Sequence, residues 1–254
     1  MTEKAKSIIA VPAGRLTDMA FQRLLRGGVL LADAVDAFRR NGDDTKPLST
    51  TVTGVYAQVF SPRDTVTNLL IPERRVIVAI SGDDYVVDQG LLGFNPATGE
   101  LVIPDDPKIE RVGIIRAFGS NGAEIRPEVV LAVKRAEWEG ATPEEIVASG
   151  KIRKAVVKRG TYENIAKMYI DHHSMHTELE VRGGKLEPYV REGWVDGAFD
   201  AKESGRHLQE NGLYGIRVMQ THCAVFAVQG WQRSSLADQT GTILERIGKV
   251  SVPL

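Results

Sequence analysis

The sequence predicts an α/β protein of two lobes, with mixed, mostly parallel sheets and flanking helices. Three observations predict it. Apolar strand-like runs alternate with amphipathic segments along most of the chain, the pattern of strands joined by crossover helices. The 254 residues, 43% of them hydrophobic, are enough for two cores of ordinary size. A stretch of turn formers and charge, Ser120 to Pro127, interrupts the pattern near mid-chain. It marks a crossover, with residues 1–120 and 220–254 in one lobe and 121–219 in the other.

Taken in order, Ser7 to Val11 reads as a buried strand that Pro12 and Gly14 break, before an amphipathic helix carrying Leu16, Ala20, Leu24 and Leu25. Between Thr50 and Phe118 come the strand-like runs VTGVYAQVF, RVIVAI, YVV and ERVGIIRAF, separated by the turn signals SGDD and NPATGE. EVVLAV, from Glu128, is a further strand. The next helix has a marked start: Thr142 is its N-cap, Pro143 its first residue, and Glu145 completes a capping box. It should end near Gly150. Ala155 to Lys158 is a strand feeding a helix from Thr161, whose Tyr162, Ile165, Met168 and Tyr169 share one face. Strand LEV, helix KLEPYVRE, strand WVDGAF and helix SGRHLQEN repeat the unit, with Gly212 closing the last. IRVM and AVFAV are strands, and Ser235 to Ile247 is a helix burying Ile243, Leu244 and Ile247.

Lys and Arg total 32 against 33 for Asp and Glu, so no global field draws nucleic acid or an anionic membrane. Any anion site is local. The single cysteine, Cys223, cannot form an internal disulfide, and no apolar stretch reaches the roughly 18 residues of a membrane helix. The apolar run in MTEKAKSIIAV is too short for a signal peptide, so a cytoplasmic protein is expected.

Chemistry concentrates in GWVDGAFDAKESGRHLQENGL, where an apolar strand ends at Asp200 and a polar loop delivers Ser204 and Gly205 to a helix start. Backbone amides there point outward unpaired, the helix dipole adds positive potential, and Gly205 lets a phosphate approach closely. Lys202 and Arg206 add charge. Asp200 and Asp196 are candidates for holding ribose hydroxyls or a Mg²⁺ that carries a pyrophosphate. Spacing alone also fits a plain capping Ser204 beside solvated aspartates. In DHHSMHTE, residues Asp171, His172, His173, His176 and Glu178 invite a zinc reading, yet no third ligand is specified on one helix face. Histidines that complement a helix C-terminus are the simpler reading, and the metal ligands stay unassigned. Cys223 reads as buried core, and Trp194 and Trp231 as packing residues.

From Gly184 to Leu213 the chain resembles ATP phosphoribosyltransferases without a gap. The family's Gly, Glu-Pro, Gly before an Asp, second Asp, Thr/Ser-Gly phosphate loop and Asn-Gly-Leu ending fall on Gly184, Glu187, Pro188, Gly193, Asp196, Asp200, Ser204, Gly205, Leu208, Asn211, Gly212 and Leu213. The opening AVPAGRL, with Arg15, is also similar to the family's first strand and loop. The resemblance implies a periplasmic-binding-protein-like (type II) fold with ligands in the cleft between lobes. It implies phosphoribosyl pyrophosphate on Asp200, Lys202, Ser204, Gly205, Arg206, His207 and Leu208, an acceptor held by Arg15, Glu187 and Asp196, and Mg²⁺ on the leaving group. The reaction implied is displacement of pyrophosphate by an adenine ring nitrogen of ATP, the first step of histidine biosynthesis, with no general base named. A short form is implied, without a C-terminal regulatory domain, as a homo-oligomer that admits a regulatory partner subunit.

The chain departs from the family at His207, where a second threonine is usual, and at Ala13, where a lysine is usual. ISGDDYVVDQGLLGF lacks the arginine and Asp-Ile-Pro pattern expected before the family's Gly-Ile-Thr-Gly-like turn. These differences keep two alternatives open: the same fold acting on another heterocyclic acceptor, and a non-catalytic small-molecule-binding protein.

Overall fold

The computed structural model describes residues 6–41, 46–118, 124–202 and 205–248, without the side chains of Arg15, Ala117, Phe118 and Ile125. The chain forms β1 (Ser7–Pro12), α1 (Thr17–Arg26), α2 (Ala32–Asn41), β2 (Leu48–Ser49), β3 (Val55–Phe60), α3 (Pro62–Thr67), β4 (Val76–Gly82) and α4 (Asp83–Asp88). Then come β5 (Gly93–Asn95), β6 (Glu100–Val102), β7 (Ile109–Ile115), the paired β8 (Ala117–Phe118) and β9 (Glu124–Ile125), β10 (Glu128–Lys134), α5 (Pro143–Ala148) and β11 (Lys154–Lys158). The remainder is α6 (Glu163–His172), β12 (Glu178–Arg182), α7 (Glu187–Arg191), β13 (Gly197–Lys202), α8 (Arg206–Glu210), β14 (Leu213–Gln220), β15 (Cys223–Val228) and α9 (Ala237–Gly248).

Two compact units result. The first takes the chain up to Val86, Asp105–Glu124 and everything from His222; the second takes Val87–Pro104 and Ile125–Thr221. Residues 87–104, placed by the sequence in the first lobe, therefore cluster with the second unit. The physical reason is local pairing: the Gln220 amide, at the end of β14, donates to the Gly99 carbonyl at 3.1 Å.

The first sheet runs β2-β3-β1-β4-β15-β7. β1 pairs in parallel with β3 and β4, whereas β15 is antiparallel to both β4 and β7. All seven residues of β4 are buried, as a central strand covered on both faces requires. Ile9, Val11, Val78 and Ile80 pack in one core with Phe21 and Leu24 of α1 and Ile243 and Ile247 of α9. Each such side chain contributes roughly 1.5–3 kcal/mol by leaving water. The run YVV, expected as a strand, is instead part of α4. Asp83 and Asp84 favour the helix N-terminus, and full burial of Val86 and Val87 overrides their β preference.

The second sheet runs β12-β11-β13-β10-β14. β11 is parallel to β12 and β13, and β10 is antiparallel to β13 and β14. The capping box forms as expected: the Glu145 amide donates to Thr142 Oγ1, and the Thr142 amide donates to Glu145 Oε2. On α6, Ile165 and Tyr169 are buried, joined by Ala166 and Ile170; Met168, expected on that face, is exposed.

Candidate functional site

β11, β12 and β13 all end at one edge of the second sheet, at Lys158, Arg182 and Lys202. Ligands of open α/β sheets bind outside such carboxyl ends. Asp200 sits there half-buried, its Oδ1 accepting the Ala201 amide at 2.8 Å. The Lys202 ammonium is 2.9 Å from Glu128 Oε2, and Arg217 approaches the other oxygen of Glu128 at 3.9 Å. Gly205 has φ +73°, and a Cβ there would lie 3.2 Å from Lys202 Cε, so glycine leaves room for the lysine stem. Arg206 pairs with Glu210 at 2.6 Å on the surface, and His207 is exposed. Glu203 and Ser204 lie outside the described residues. Leu208, expected at the phosphate, buries its side chain against Gly215 and Val130 in the core, which leaves only its backbone for a ligand.

Asp196 stands at the other end of the same strand. Its Oδ2 accepts the amides of Arg153 and Lys154 at 2.8 and 2.9 Å, tying the start of β11. Four residues of strand put it about 13 Å from Asp200, so the two aspartates do not form one site. Glu187 opens α7 shortly after β12 ends, and its buried Oε2 has no hydrogen-bond partner. The amides at the start of α6 are already answered: Asp88 Oδ1 accepts from Asn164 and Ile165. Burial pushes the Asp88 carboxyl up, and those amides pull it back in part.

His173 packs against Tyr169 and His172, with ring centroids 4.4 and 4.8 Å away. Burial, then His172, pushes its imidazole down. Among the described residues no group of three His, Cys, Asp or Glu is placed to hold a metal ion, so the histidine cluster offers zinc no ligand set.

In the first unit, β1, β3 and β4 likewise end together. Arg15 lies in the tight turn Gly14–Leu16 after β1; its side chain is outside the description. Ser61, after β3, caps α3 by accepting the Asp64 amide at 3.2 Å. At the end of β4 the polar groups turn inward: Ser81, Asp83 and Asp84 are at most 1% exposed. Asp83 Oδ2 is 3.2 Å from His222 Nδ1, its Oδ1 is 3.4 Å from Arg111 Nε, and its amide donates to the His222 carbonyl at 2.9 Å. A side chain at Gly82 would collide with Asp84 Oδ1. Cys223 is buried core as expected; burial, with Asp83 and Asp84, pushes its thiol up to about 12. The sequence treats SGDD as a turn and misses this cluster. Its signal is a polar run placed directly after the apolar run VIVAI, at the end of a central strand.

Residues 69–249 match the model of the family described as ATP phosphoribosyltransferase. The chain belongs to that family. It is 25% identical to the ATP phosphoribosyltransferase of Sulfurisphaera tokodaii, over 93% of this chain and 70% of that one. The ATP phosphoribosyltransferase of Crocosphaera subtropica is 24% identical, over 76% of this chain and 80% of the relative. Among solved structures, the ATP phosphoribosyl transferase (HisG:HisZ) complex from Thermotoga maritima superposes with a TM-score of 0.66, covering 96% of both chains at 16% identity. That likeness establishes the ATP phosphoribosyltransferase fold for this chain. No helix among the described residues is long and apolar enough to cross a membrane.

Proposed function

We propose that the chain transfers the 5-phosphoribosyl group of phosphoribosyl pyrophosphate to an adenine ring nitrogen of ATP, the first step of histidine biosynthesis, in the cytoplasm. The observation that carries this reading is the family match across residues 69–249, which includes the whole carboxyl edge of the second sheet. In the reaction the bond from ring nitrogen to the anomeric carbon forms as the bond from that carbon to pyrophosphate breaks. The leaving group keeps the electron pair. A neutral ring nitrogen needs no strong base, so the protein's task is alignment and charge.

Lys202 and Arg206 supply positive charge to the ribose phosphate, the Gly205 and Leu208 backbone and Ser204 hold its oxygens, and His207 donates a further hydrogen bond. Asp200 takes the ribose hydroxyls. Arg15 and the unpartnered Glu187 carboxylate are the acceptor contacts; Asp196 is withdrawn from that set by its two backbone bonds. Mg²⁺ at this edge would be carried by substrate phosphates, with the half-buried Asp200 carboxylate of β13 as its protein contact. Bound there, it would neutralise charge on the departing pyrophosphate. The Thermotoga maritima structure is a complex of two proteins, and a homo-oligomer with room for such a regulatory partner is proposed for this chain.

Calorimetric titration with phosphoribosyl pyrophosphate and Mg²⁺ tests the reading on the wild type and on Asp200→Ala, followed by ATP. Removing one hydrogen bond to a charged partner should weaken binding roughly 10- to 100-fold. Pyrophosphate release on adding ATP completes the case. Binding without release assigns another heterocyclic acceptor, and absence of binding defeats the transferase reading.

A further inference from the structure

The polar cluster closing β4 is not used by the mechanism above, and its geometry has a direction. Asp83 is fully buried, yet each of its oxygens faces the inner nitrogen of a longer side chain: Nδ1 of His222 and Nε of Arg111. Those two side chains are 28% and 17% exposed. Covalent geometry puts His222 Nε2 on the far side of its ring; of the two terminal guanidinium nitrogens of Arg111, one lies on the Nε side and the other points away from the carboxylate. None of the three has a hydrogen-bond partner among the described residues. Two buried atoms at the end of β4 and the start of α4, Ser81 Oγ and Asp83 Oδ1, also lack hydrogen bonds. A carboxylate that fixes a guanidinium and an imidazole from behind is how a receptor for an anion is pre-oriented.

We propose that Arg111 and His222, held by Asp83, form a phosphoryl-binding site in the first unit that takes a phosphoanhydride chain. Assigning that chain to the substrates, as the triphosphate of ATP or the pyrophosphate of the donor, rests on the transferase reading. The planar guanidinium suits two phosphate oxygens, and the outer imidazole nitrogen adds a third contact.

The test is calorimetry on the full chain with inorganic pyrophosphate, ATP and ribose 5-phosphate. Arg111→Met and His222→Gln should each weaken pyrophosphate or ATP about tenfold while leaving ribose 5-phosphate, a probe for the Asp200 edge, unchanged. An effect on ATP alone assigns the acceptor's phosphates; an effect on both assigns the shared chain. Should Arg111→Met misfold by circular dichroism, His222→Gln carries the test, since its side chain is partly exposed ahead of β15. Unchanged pyrophosphate and ATP affinity in a folded variant, or no binding of either by the wild type, overturns the site. Failure of the transferase reading looks different: phosphoribosyl pyrophosphate with ATP releases nothing, whether or not pyrophosphate binding depends on Arg111 and His222.

Discussion

The carboxyl edges of the two sheets solve the placement of polar groups in opposite ways. At the second sheet's edge Asp200, Lys202, Gly205, Arg206 and His207 come from one short segment and are half-buried or exposed. At the first sheet's edge Asp83, Arg111 and His222 come from three distant segments and meet around a carboxylate shut off from water. An exposed group can be changed at the cost of ligand affinity alone. A buried one holds the fold as well, because an orphaned polar atom away from water costs about 1–3 kcal/mol.

The largest expected effect tests the buried edge by pH. The Cys223 thiol is raised from 9.0 to about 12, so the folded state keeps a proton that the unfolded state releases. Its contribution is complete below pH 9 and is lost as pH climbs from 9 toward 12. Denaturant titrations at pH 8, 9.5 and 11 should show a fall in stability that Cys223→Ala reduces; identical slopes in both proteins would break the contrast. Next, Gly82→Ala should cost about 1–3 kcal/mol by overpacking, since the new methyl must displace the buried Asp84 carboxylate. A loss of ligand affinity without a loss of stability would mean that this edge behaves like the other.

Asp196→Ala sharpens the comparison within a single strand. Two amides at the start of β11 lose their acceptor, a cost of about 1–2 kcal/mol that lowers the melting temperature by roughly 2–8 °C. Binding of phosphoribosyl pyrophosphate, and of ATP added after it, should not change. A weakened titration in the folded variant would return Asp196 to the binding site.

The same contrast explains what could be read from the sequence. The edge of the second sheet is local, so the Asp200 to Leu213 pattern is legible as a motif, just as the Thr142 capping box is legible from three residues. The Asp83 cluster depends on pairing β4 with β15 and β15 with β7, which no window of sequence contains. Asp196 and Asp200 look like one site because they are four apart; only the strand between them, Gly197–Lys202, separates them. Leu208 shares the motif's spacing with its polar neighbours, yet burial claims its side chain. YVV fails for a related reason, since three apolar residues cannot distinguish strand from helix and the two preceding aspartates decide it.

The smallest expected effect isolates the open edge. Arg206 and Glu210 form an exposed pair one helical turn apart on a helix of only five residues, worth about 0.3–0.5 kcal/mol. Arg206→Ala should therefore leave the denaturation midpoint almost unmoved. Arg206 follows Gly205, the position proposed for the phosphate, so phosphoribosyl pyrophosphate should bind several-fold more weakly and with a shallower dependence on salt, as loss of one exposed charge requires. Glu210→Ala separates the two roles of the pair. It removes the same ion pair while leaving the arginine, so it should match Arg206→Ala in stability and keep or strengthen phosphate binding. If both variants weaken binding equally, the pair itself shapes the loop and the arginine's charge is not what the phosphate meets.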